Sequence, residues 1–329
     1  MPTRRRAALV LIVLTLIALA SFAVALSAGS IPVSAADLWA VLTGGEAGLA
    51  GEVIRGLRLP RAMGAFACGG LLALAGTLMQ VLLRNPLADP YVLGISGGAS
   101  VGALGAMLAG FGLALINLSA FAGAFAAMAL VFGLAHGDSS WTRTRLLLTG
   151  VIVAAGCGAV VALILSVAPE AKLRSMLFWL MGDAGHVVNP WPALALLAIG
   201  VAAALPFARE LNLLTRGDVL AHSLGVSVPR IKRVVYGLAS LFTAVAVTTA
   251  GSIGFIGLIV PHLMRMAIGN DQRLLLPASA LAGASLLVLA DTLARTVVAP
   301  QQLPVGVLTA VLGVPVFLFL LGRQPGGRS

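Results

Sequence analysis

The chain has 329 residues, of which 60% are hydrophobic and only 10% charged, and its formal net charge is +10. With a mean hydropathy of +1.05, this balance excludes an ordinary soluble domain. It also argues against a nucleic-acid binder, because the arginines are dispersed between apolar runs, never more than three together, instead of forming one basic face.

The chain opens with Arg4, Arg5 and Arg6 ahead of an apolar run over residues 7–36. A cleaved signal peptide has an apolar core of only about 7–15 residues, so this longer run predicts a retained first span. Residues 62–83 carry no charge, and as a helix they are long enough to cross a hydrocarbon core of roughly 30 Å. The run ends at RNPLADP (84–90), where two prolines each remove a backbone donor and restrict the residue before them. Beyond the break, Gly94, Gly98 and Gly102 recur every four residues. A helix there would present bare backbone, which lets neighbours approach closely in lipid.

The next charge-free run, 90–137, has 48 residues and must fold back once, near residues 110–117. Further runs cover 146–169, 187–208, 234–264, 274–290 and 296–322. The GSIG break at 251–254 divides the run 234–264 into one full span and one shorter one. Eight runs, two of them doubled, predict ten transmembrane helices. The expected architecture is an all-α integral membrane protein, a single transmembrane domain over residues 1–329. Cys68 and Cys157 lie inside apolar runs and read as small hydrophobes.

Placing the N-terminus in the cytoplasm and alternating ten spans puts fifteen Lys/Arg residues inside and six outside. The outer six are Arg55, Arg58, Arg61, Lys172, Arg174 and Arg295. Short loops follow this bias, so both termini are expected inside.

The longest polar connection is RELNLLTRGDVLAHSLGVSVPRIKR, residues 209–233. Its apolar residues interleave with polar ones, which predicts short amphipathic helices broken at Gly217 and Gly225, and a docking surface for a cytoplasmic partner. Gly94-Ile95-Ser96-Gly97-Gly98 satisfies the G-x-S-x-G pattern. A serine nucleophile needs a base, and small residues at a helix start serve packing as well, so the structural reading of Ser96 is preferred over an intramembrane serine protease. Asp291 has Arg295 one helical turn on, which predicts a local ion pair. No second acid lies deeper in a span, so a proton-coupled secondary transporter, the main alternative, lacks its usual relay. His186, in the outer segment, is a candidate transient contact for haem. The sequence contains no G-x-x-x-x-G-K-[ST] loop, so no nucleotide site is expected on this chain, and no cofactor or catalytic residue is assigned.

RLPR (58–61), GTLMQVLLRNPLADP (76–90), LGISGGASVGA (93–103), RLLLTGV (145–151), GSIGFIGLIVPHLMR (251–265) and LPVGVLTAVLGVPVFLFLL (303–321) together resemble the FecCD/BtuC-type permeases of bacterial ABC importers for vitamin B12, ferric siderophores and haem. The resemblance runs over about residues 55–321. It implies a BtuC-like type II ABC importer fold in the bacterial inner membrane, a homodimer with a central path, and alternating access. Two cytoplasmic ATP-binding subunits would carry ATP and Mg, and a periplasmic or lipid-anchored binding protein would dock outside.

By the same resemblance, Gly217, Asp218, Ala221, Leu224 and Gly225, within the 209–233 segment, would couple to the ATPase. Asn85 and Leu87 would form an inner constriction. Arg143 and Thr144 would stand at the cytoplasmic gate, where arginine departs from the small hydroxyl residues usual in relatives. Gly150, Ala154 and Gly158 would line the path, and Arg58, Arg61 and Arg295 would face the binding protein as rim charges.

Overall fold

The computed structural model describes residues 4–45, 48–135 and 143–323, and among these every regular element is helical. In order they are α1 (Arg4–Ser27), α2 (Ala35–Leu42), α3 (Gly48–Val53), α4 (Leu59–Leu83), α5 (Ile95–Leu108), α6 (Leu113–Ala135), α7 (Arg143–Val167) and α8 (Glu170–Met181). The chain continues through α9 (Trp191–Ala204), α10 (Ala208–Arg216), α11 (Asp218–Ser223), α12 (Val228–Ala250), α13 (Ile256–Ile268), α14 (Gln272–Ala294) and α15 (Val305–Arg323).

Among the described residues, seven helical stretches are long and apolar enough to cross a membrane, with α3–α4 and α9–α10 each counted as one. α5, α13 and α15 are shorter apolar helices at the positions where the sequence places the other three of its ten expected spans. Both fold-backs fall where the sequence put them. The chain turns between α5 and α6 at Gly110, whose φ is +80°, and α12 stops at Ala250 before the GSIG break.

Contacts between helix ends sort the molecule into two faces. On one, which we call the basic face, the end of α4 meets α10 and α11 through Arg84, and Asn212 of α10 bonds Asp271 at the start of α14. On the far face, Arg58 beside α4 reaches the end of α1, and Arg61 reaches the end of α14.

The core is α4. Every residue from 67 to 83 is buried, and α14, α12, α13 and α9 pack around it. Such close wrapping needs missing side chains. A Cβ on Gly76 would overlap the Gly257 carbonyl of α13, and one on Gly69 would overlap the Gly283 carbonyl of α14. The predicted strip on α5 works similarly: Gly98 and Gly102 lie against the Gly123 and Ser119 carbonyls of α6, while Gly94 turns to α7.

Two non-helical stretches meet inside the helical layer, where irregular backbone survives only if its polar groups are satisfied by protein. The Tyr91 hydroxyl accepts from the Ile253 N–H and donates to the Ile253 carbonyl, both at 3.0 Å. Ser96 and Ser252 share a hydroxyl bond of 2.9 Å. The GSIG break is therefore stitched to the start of α5.

Replacing Gly76 by leucine is expected to destabilise the fold by about 3 kcal/mol or more, at the upper end of overpacking costs. Gly105→Ala, with nothing within 4 Å of the new atom, is expected to be tolerated. Thermal unfolding in detergent measures both.

Candidate functional site

On the basic face, α11 is held by charge. Asp218 accepts from Lys232 at 2.8 Å and from Arg84. Arg84 also donates Nε–H to the Leu214 carbonyl at 2.9 Å. It can do this because it ends α4 in the left-handed region, at φ +47°, a conformation costly for a side-chain-bearing residue. That turn aims the guanidinium away from the α4 axis, so the buried core helix and α11 are joined by one side chain.

Asp218 and Gly217 thus form the hinge of the predicted coupling segment, with Gly217 at φ +133° and Gly225 at φ +83° closing its ends. The structure divides the expected packing points. Ala221 is fully buried against its own chain, whereas Leu224 is 56% exposed, and beside it stand Val219 at 85% and Leu220 at 42%. Three aliphatic side chains thus face outward from a polar connection as one exposed apolar patch. A cleft of about 370 Å³ adjoins it, lined in part by Glu210, Leu224 and Arg230. Val219 and Leu220 are among the apolar residues that interleave with polar ones in this connection, but not among the expected packing points.

Other predicted positions are scattered. Asn85 turns its Oδ1 onto the Leu87 N–H at 3.0 Å, a local turn on the basic face. Thr144 is exposed at the start of α7, and the Arg143 side chain lies outside the described residues. The Gly150-Ala154-Gly158 strip splits. Gly150 packs against the Val92 carbonyl and Ala154 against Gly94, whereas Gly158 has open space beside it. Along the same helix Leu148, Ile152, Leu163 and Val167 are each at least 60% exposed.

On the far face the structure corrects two expectations. Asp291 does not pair with Arg295 one turn on. It takes two bonds from Arg61 Nε and Nη2, the closer at 2.8 Å, and Arg61 also touches Asp183 at 3.3 Å and Gln302 at 2.7 Å. The reason is geometric: Arg61 approaches from a neighbouring helix with both nitrogens, which a carboxylate accepts best. The rim arginines are also not free charges. Arg58 is buried and donates to the Leu26, Ser27 and Ile31 carbonyls, and Arg295 donates to the Ala25 and Ala28 carbonyls. Both satisfy carbonyls that the end of α1 leaves open.

Asp183 and His186 sit between α8 and α9, 3.4 Å apart, at the mouth of a cavity of about 360 Å³ that Lys172 and Trp179 also line. Burial disfavours the Asp183 carboxylate, but His186, the Gly185 N–H and Arg61 together hold it below the usual range. The hydrogen bond to Asp183 in turn raises His186 above the ordinary histidine value, against burial. Ser96, the other chemical candidate, is bonded to a hydroxyl and not to a base.

With this geometry in view, three comparisons agree. The profile described as the FecCD transport family matches residues 14–323. The hemin transport system permease protein HmuU of Yersinia pestis is 44% identical over 83% of this chain and 84% of its own length. The cobalamin import system permease protein BtuC of Halobacterium salinarum is 43% identical over 82% and 73% respectively. Among solved structures, an inward-facing conformation of a metal-chelate type ABC transporter superposes with a TM-score of 0.83 at 31% identity, covering 97% of this chain and 100% of that one.

Asp291→Ala removes the bidentate partner of the largely buried Arg61, leaving Asp183 and Gln302, and is expected to cost about 3 kcal/mol, the low end for breaking a buried pair, read by thermal unfolding. His186 is expected to titrate above 6.5, and Asp183→Asn to return it toward that value, followed by NMR of a labelled ring. Its raised value means the pair adds stability below 6.5 that fades as pH climbs through the folded-state value. The effect is small because the His186 side chain is 66% exposed.

Proposed function

Because the chain belongs to the FecCD transport family and is a permease subunit of the metal-chelate, haem or vitamin B12 type of ABC importer, we propose that two copies form one translocation path powered by two separate ATPase subunits. The observation that carries this is the Val219, Leu220 and Leu224 patch on a rigidly held helix. It supports residues 209–233 as the ATPase-coupling segment and the basic face as cytoplasmic, with both termini on that side.

In this reading ATP binding by the partner displaces α11, and the Asp218–Arg84 link carries the displacement to the end of α4. The helices packed around α4 move with it, and access alternates between the two faces. The second copy covers the aliphatic face of α7, where Gly158 leaves width for a bulky cargo. Cargo is a metal chelate, with haem or a ferric siderophore ahead of cobalamin. The binding protein docks at the outer rim around the exposed His186, since Arg58, Arg61 and Arg295 are each bonded within the chain. His186, exposed at the cavity mouth, is the proposed transient haem contact.

Val219→Asp is expected to lower ATP-driven uptake in proteoliposomes at least tenfold while membrane yield stays unchanged. Uptake at full rate without any ATPase, or collapse with a proton uncoupler instead of with ATP removal, would overturn the reading in favour of a secondary transporter.

A further inference from the structure

A further cleft at the basic face, of about 630 Å³, belongs neither to the α11 patch nor to the far-side cavity. Three segments build it: the start of α1 with Arg6, α10 with Arg209 and Arg216, and the α13–α14 turn with Arg273. Four arginines line it beside one acid, Asp271. Asp271 Oδ1 accepts from Asn212 Nδ2 at 2.9 Å and from the Arg273 N–H at 3.1 Å. Arg209, Arg216 and Arg273 are all exposed. Three like charges against one carboxylate in one concave space leave an excess of positive charge, which a bound anion relieves.

We propose that this cleft binds the headgroup phosphate of an anionic phospholipid of the adjoining leaflet. The lipid source follows from α1. Leu9, Ile12, Leu16 and Leu19 on that helix are each at least 59% exposed, so its outer side faces acyl chains. Arg6 precedes Leu9 by three residues and Val13 by seven, which puts all three on one helical face. A lipid lying along α1 would bring its phosphate to Arg6 at the level of the cleft. Basic pockets between spanning helices are suited to such headgroups. The lipid would then tie α1 to α10 and the start of α14, which Asn212 and Asp271 already connect by a direct bond.

The test is native mass spectrometry of the purified full-length chain in mild detergent, with phosphatidylglycerol and phosphatidylcholine of matched acyl chains. Phosphatidylglycerol is expected to stay bound and to raise the unfolding temperature, and phosphatidylcholine to do neither. Each basic residue near a membrane surface contributes about 1 kcal/mol, or about fivefold. Arg216→Gln with Arg273→Gln is therefore expected to weaken retention about 30-fold, and either alone about fivefold, should the double variant fail to fold. Arg233→Gln, on the same face but outside the cleft, is expected to change nothing. Equal retention of the two lipids, full retention by the variants, or displacement of the lipid by millimolar inorganic phosphate, which would mark a free-anion site, each overturns the proposal.

Discussion

The structure depends on backbone lying against backbone around one buried helix. In water, burial of apolar side chains would hold α4 in place. In lipid the surroundings are as apolar as the side chains, so that force is absent and van der Waals packing must supply cohesion. Gly69 against Gly283 and Gly76 against Gly257 bring α14 and α13 close enough for whole helical surfaces to interlock. Each contact removes a side chain from the interface and gains many small dispersion contacts in return. This explains why α4, which has few polar side chains, is the most enclosed of the long spans.

Polar groups are handled by the same economy. Inside the helical layer, Tyr91 and the two serines close the backbone of the GSIG break. At the far edge, Arg58, Arg61 and Arg295 bond carbonyls and carboxylates of their own chain. At the basic edge, Arg84 and Lys232 fix α11. Arginine acts here chiefly as a fastener between helix ends, and its fork of donors suits it to open carbonyls in the way lysine does not. The exposed guanidiniums are concentrated on the basic face.

Much of this was legible from the residues. Length and charge-free runs gave the seven long spans and both fold-backs, because the bilayer imposes a length that sequence alone can meet or miss. The every-fourth-residue glycines on α5 announced close packing, and Gly217 and Gly225 marked the breaks on either side of α11. What stayed hidden was pairing between distant helices. Helical spacing sees only neighbours one turn away, so it offered Arg295 to Asp291, whereas the true partner Arg61 lies 230 positions earlier. Likewise, small residues at 150, 154 and 158 look identical in sequence, yet two meet α5 and its preceding turn and one meets open space. Which side of a helix has a neighbour is a property of the bundle, not of the helix.

The arginines that close the end of α1 bear on how the protein is made. The first helix to be synthesised leaves its terminal carbonyls open, and the guanidiniums that bond Ala25 and Ala28 belong to a residue 270 and 267 positions later. Until α14 is inserted, α1 is a lone hydrophobic rod held in the lipid by its own composition and by Arg58 beside α4. The seam between α1 and α14 can seal only after residue 295 has been made. Biogenesis of the fold therefore has a committing step at its far face, and a ribosome stalled before residue 295 would leave α1 without half of its guanidinium ties.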